Sequence, residues 1–129
     1  MVIYDHSAIF EMVGGESTFR KLVNNFYLKI DQDQLLRSMF PISLERGKER
    51  VFLFLVKKFG GPDNYSPLRG HPRLKKRHIP FPIGIKERNQ WLKLKLESWR
   101  EIGITEEHPA WDTLYDYFER ISMKMVNQS

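Results

Sequence analysis

Apolar residues recur at helical spacing on both flanks of this chain and lose that period in its middle. From Ser17 onward, Phe19, Leu22, Val23, Phe26, Tyr27 and Ile30 follow the i, i+3, i+4, i+7 rhythm that one face of an amphipathic helix requires. Upstream, Ser7 to Val13 predicts a short helical piece stopped by Gly14-Gly15, a doublet suited to the left-handed turn after a helix. Downstream, Asp33 is placed to cap a brief turn through Leu35, Leu36, Met39 and Phe40, ended by Pro41. Ser43 opens the next segment, Leu44 to Phe59, whose run from Val51 to Val56 alone would also suit a buried strand. The flanking Glu45-Arg46, Lys48-Glu49-Arg50 and Lys57-Lys58, with the stop at Gly60-Gly61, favour a mostly buried helix. Lys86 to Ile102, with Trp91, Leu92, Leu94, Leu96 and Trp99, predicts another, ended near Gly103. Thr105 is the expected N-cap of the last helix, whose apolar set is Trp111, Leu114, Tyr115, Phe118, Ile121 and Met125. No alternating stretch supports a sheet, so the expected class is all-α.

Five of the seven prolines (Pro62, Pro67, Pro72, Pro80 and Pro82) fall between Gly60 and Gly84 and forbid a helix there. A connection of about 20 residues without period is uncommon in a small domain and is usually functional. Such a length of chain suits wrapping something other than the protein's own side chains, and a buried prosthetic group would fit.

Composition narrows the classes. The 129 residues are expected to form a single domain over 1–129, with 41% hydrophobic and 29% charged residues, as in ordinary globular proteins. No apolar run approaches the roughly 20 residues that span a bilayer, and Asp5 and Glu11 near the start do not resemble a secretory leader. The expected location is cytoplasmic, with no membrane partner. The absence of Cys excludes disulfides, thiol nucleophiles and thiolate metal ligands. A surplus of 21 Lys and Arg over 16 Asp and Glu, +5 in net charge, raises nucleic acid or an anionic ligand as a partner.

Four histidines are candidates for chemistry. His6 and His108 read as surface residues, and His71, within Gly70-His71-Pro72, as a turn residue bonded to backbone. His78 differs, because apolar Ile79-Pro80-Phe81-Pro82-Ile83 follows it. Taken alone it suits a core histidine better than a metal ligand. No phosphate-binding glycine loop, no His-Glu-x-x-His and no arguable Ser-His-Asp triad is present. Tyr27 and Trp91 carry polar handles on otherwise apolar faces. Taken alone, each reads as a core aromatic.

One set of residues in order carries a resemblance. Gly14-Gly15, Phe26-Tyr27, Met39-Phe40-Pro41, Gly60-Gly61-Pro62, Tyr65-Ser66, Arg69 to Leu74, Arg77-His78, Pro80-Phe81, Glu87-Arg88 and Trp91 resemble the truncated haemoglobins of the second group, down to the ending Met125-Val126-Asn127-Gln128. The resemblance implies a globin-like, truncated two-over-two helical sandwich around haem b. It implies His78 as the proximal iron ligand, its second ring nitrogen held by a backbone carbonyl. It also gives the proline-rich loop a purpose, the delivery of His78.

On the opposite side, Tyr27 and Trp91 match the family's distal tyrosine and tryptophan, placed to donate to a bound ligand. Phe40 matches a haem-edge position that is a second tyrosine in some relatives. Gly47 and Val51 fall on the distal helix where relatives place a small or polar residue, and neither side chain hydrogen-bonds a ligand. Phe54, Leu55, Phe59, Phe81 and Ile83 are further wall candidates. Arg77 and the Tyr65 hydroxyl are placed to meet the propionates, an anion that absorbs part of the charge around Arg73, Lys75 and Lys76 and weakens the nucleic-acid reading. The implied ligands are O2, nitric oxide, carbon monoxide or peroxide. The expected function is reversible diatomic binding, for O2 transport or scavenging. A second reading is an enzyme that oxidises nitric oxide to nitrate or reduces peroxide with an external reductase. A third is a haem-free, basic helical nucleic-acid binder. A monomer or a homodimer suits the sequence equally.

Overall fold

Helical period becomes helix nearly everywhere it occurs. The computed structural model describes residues 2–65 and 81–128. A 3-10 turn at His6–Ala8 runs into α1 (Ile9–Met12), followed by α2 (Glu16–Gln32), a second 3-10 turn at Arg37–Met39, α3 (Glu45–Lys58), α4 (Ile85–Glu101) and α5 (Trp111–Lys124). Among the described residues there is no strand, and the ambiguous run Val51 to Val56 lies inside α3. The pair α2–α3 packs against the pair α4–α5 through contacts of α2 with both α3 and α4, giving the all-α, two-over-two arrangement.

Local chemistry sets the ends of these elements. Asp33 performs its expected cap, its Oδ1 accepting from the backbone N–H groups of Leu35 at 3.0 Å and Leu36 at 2.9 Å. Gly60, at φ +100°, ends the third helix where the N-terminal turn crosses it. A Cβ there would sit 1.9 Å from the Ser7 carbonyl oxygen, so no other residue fits.

Four expectations are corrected. Thr105 does not cap the last helix, which begins at Trp111. Pro109 disfavours helical backbone at the residue before it, and His108 Nδ1 accepts from the Ala110 N–H at 3.0 Å, so the chain turns once before the helix opens. His108 is therefore a half-buried local acceptor and not a plain surface residue. His6 packs between Phe59 and Tyr117, with ring centroids 5.6 Å and 5.5 Å away, and its burial lowers its pKa. Tyr117, not Tyr115, completes the buried face of α5, because it lies three residues after Leu114 whereas Tyr115 is rotated off the stripe.

The core is aromatic. Phe19 stacks between Phe10 and Phe59, each 5.9 Å away, and meets Trp99 edge-on at 5.6 Å. Beside this cluster, between residues of α2, α3, α4 and α5, lies a hollow.

Candidate functional site

The hollow is a cavity of about 580 Å³, within the range of about 300 to 1,000 Å³ that small-molecule and cofactor sites occupy. Helical spacing aims the wall residues into it: Phe26, Tyr27 from α2; Gly47, Arg50, Val51, Phe54 from α3; Trp91 and Lys95, one turn apart, from α4; Phe118 and Ile121 from α5. Of the residues singled out in the sequence, the cavity gathers Tyr27, Phe40, Gly47, Val51, Phe54, Leu55, Tyr65, Phe81, Ile83 and Trp91. Phe59 is absent from the wall. It is fully buried in the aromatic core instead, against Phe19, Tyr117 and Phe118. His78 and Arg77, with His71, Arg73, Lys75 and Lys76, lie outside the described residues.

Tyr27 is 5% exposed, and among the described residues no hydrogen bond holds its hydroxyl. Burial pushes its pKa up to about 12, with the Arg50 charge opposing, so the phenol stays protonated and able to donate. Its ring is fixed between Phe26, edge-on at 5.6 Å, and Phe40, edge-on at 6.0 Å. Gly47 faces the hydroxyl across the helix interface, where a Cβ would come within 3.3 Å of the Tyr27 oxygen. Trp91 is half-buried and held edge-on to Phe26 at 5.8 Å and tilted against Phe118 at 6.0 Å. Two donors thus share one largely apolar cavity.

Sequence reasoning passed over Arg50 and Lys95. Arg50 Nε is buried and, among the described residues, has no hydrogen-bond partner. Arg46, one turn earlier on the same helix face, also lines the cavity. Their spacing by four was the available signal, hidden among the other charges of that segment. A half-buried guanidinium whose Nε is buried without a partner among the described residues, beside a largely apolar cavity, suits a large flat apolar group with an anionic edge. The residues present therefore fit the implied haem: apolar walls for the macrocycle and arginine for a carboxylate.

The comparisons with known proteins agree with this geometry. Residues 8–127 match the sequence model of the bacterial-like globin family. The chain is 32% identical over 115 residues to the group 2 truncated hemoglobin YjbI of Bacillus subtilis, covering 89% of this chain and 86% of that protein. Among solved structures, the hemoglobin of the thermophilic phototrophic bacterium Chloroflexus aurantiacus superposes with a TM-score of 0.89 at 47% identity, covering 94% of this chain and 98% of that one. The truncated oxygen-avid haemoglobin of Bacillus subtilis superposes with a TM-score of 0.85 at 32% identity, over 93% of this chain and 99% of that one.

Proposed function

The chain belongs to the bacterial-like globins, among the group 2 truncated haemoglobins, and from that premise we propose that this haem-binding globin is a cytoplasmic haem b protein that reversibly binds O2 and other diatomic ligands. The observation that carries the reading is the Tyr27 hydroxyl, protonated and without a hydrogen-bond partner among the described residues, on the wall of the same largely apolar cavity as the Trp91 indole. Haem b, when bound, supplies ferrous iron that takes up a diatomic ligand.

The protein's part is donation, exclusion and anchoring. Tyr27 O–H and Trp91 N–H donate to a ligand that has gained electron density. A hydrogen bond to a charged acceptor contributes about 1.5 to 3 kcal/mol, so each donor slows ligand escape by about tenfold to a hundredfold. Gly47 and Val51 offer no polar side-chain atom and so add no donor. Phe40 holds the Tyr27 ring from the side and, lacking a hydroxyl, adds no third donor. Phe54, Leu55, Phe81 and Ile83 keep water from competing for the donors. His78 is the residue proposed to ligate the iron, and Arg77 and Tyr65, together with Arg50, to meet the propionates. Among the described residues no helix is long and apolar enough to cross a membrane, which is compatible with the proposed location.

Haemin added to the purified protein and then reduced to the ferrous state should give a red product with a Soret band that shifts reversibly with O2. His78→Ala should abolish normal ligation. A folded, colourless protein that ignores haemin overturns the reading.

A further inference from the structure

Lys95 is the one charged side chain counted in the core among the described residues, at 2% exposure. It follows Trp91 by one turn of α4. Helical side chains lean toward the N-terminus, so its long stem runs back along the tryptophan ring. The ammonium nitrogen lies 3.6 Å from the centroid of Phe26, 5.0 Å from that of Trp91 and 5.4 Å from that of Phe118. Among the described residues it forms neither a hydrogen bond nor an ion pair. It lines the same cavity as Tyr27 and Trp91.

An unpaired ammonium is costly to bury, and a Leu or Met would fill this place without that cost. Three ring faces return part of the lost hydration. They leave the positive charge uncompensated at the cavity wall, and among the described residues the neighbouring groups do not supply the missing anion. Besides Lys95, the titratable and charged residues lining the cavity are, among the described residues, Tyr27 from α2, Arg46 and Arg50 from α3, Tyr65 after α3, Glu87 and Arg88 from α4, and Tyr117 from α5. Tyr27 and Tyr117 are neutral, their pKa values raised by burial. The carboxylate of Glu87 is engaged at the start of its own helix, accepting the Gly84 N–H at 2.8 Å. Arg88 is tied to Ser122 Oγ and the Glu119 carbonyl. Among the described residues the cavity therefore carries cations in excess of free anions.

We propose that Lys95 makes this cavity selective for small anionic ligands over neutral ones, its ammonium supplying the counter-charge beside Trp91. The inference rests on the haem-pocket reading above and adds a ligand class to it: azide, cyanide, fluoride and other small inorganic anions. Burial lowers the Lys95 pKa to about 7, so the preference should be strongest in acid and fade as the amine deprotonates.

The test compares azide binding to the ferric, haem-loaded protein with carbon monoxide binding to the ferrous form, in wild type, Lys95→Met and Lys95→Arg. At about one pH unit below the amine's pKa, Lys95→Met should weaken azide by about tenfold or more, the effect of one unscreened charge a few ångströms away. Carbon monoxide affinity should stay within about twofold, and Lys95→Arg should retain azide binding. The infrared C–O stretch of the carbon monoxide complex, which reads the local field, should move to higher frequency in Lys95→Met and return in Lys95→Arg. Equal azide affinity in wild type and Lys95→Met, or parallel loss of azide and carbon monoxide with an unmoved C–O band, overturns the proposal while leaving the haem reading intact. Absence of a Soret band in the wild type overturns the haem reading itself.

Discussion

A Cβ placed on Gly47 would lie 3.3 Å from the hydroxyl oxygen of Tyr27, so the bare α-carbon on the third helix is what lets the phenol occupy its present position. Gly47→Ala should push the hydroxyl by a few tenths of an ångström toward the open cavity. The helix should gain up to about 1 kcal/mol from the better helix former. The expected outcome is an O2 dissociation rate changed severalfold in a protein whose melting temperature does not fall. Stopped-flow dissociation and a thermal melt together check it, and an unchanged rate would show that the hydroxyl does not set ligand escape.

Lys95 gives stability a pH dependence of predictable sign. Its folded pKa of about 7 lies below the unfolded value of 10.5, so between these limits the unfolded chain holds a proton that the folded one has released. Stability from this group therefore rises with pH across that window and is lost as pH falls through about 7. Lys95→Met should be more stable than wild type in acid, and the gap should narrow as pH climbs from about 7 to 10.5. Paired denaturation curves across this range are the measurement. A pH-independent difference would mean the lysine keeps its proton throughout.

Phe59 separates core from wall. Its ring is fully buried against Phe19 and Tyr117 and does not line the cavity. Phe59→Ala should cost about 3 to 5 kcal/mol of folding stability. O2 release from the fraction that remains folded should stay within about twofold. Denaturant titration gives the first quantity and rapid mixing the second. A large change in release with little loss of stability would place Phe59 at the ligand site after all.

These residues also mark how far the sequence could be read. The helices were legible because Phe19, Leu22, Val23, Phe26 and Ile30 repeat at a period no strand shares, and all five are buried. Phe59 was not separable from Phe54, since an apolar residue reads the same whether it faces a core or a cavity. The start of the last helix was missed because Thr105 has cap chemistry, while the decisive acceptor, His108 Nδ1, becomes visible only once Pro109 has turned the chain. Lys95 was skipped because apolar residues define a face and a lysine is read as its interruption. Its spacing of four from both Trp91 and Trp99 placed it on the buried side all along. Tyr27 and Trp91 were picked out by resemblance, and their period alone would have left them as packing.

The most direct measurement is the O2 dissociation rate of the ferrous, haem-loaded protein with Tyr27→Phe and Trp91→Phe, each compared with wild type. The phenyl replacements keep an aromatic body in the wall and remove the donor. The rate should rise by about tenfold to a hundredfold for Tyr27→Phe and at least severalfold for Trp91→Phe. Unchanged rates in both variants, in proteins with a normal Soret band, would contradict the assignment of these two residues as the cavity's ligand donors.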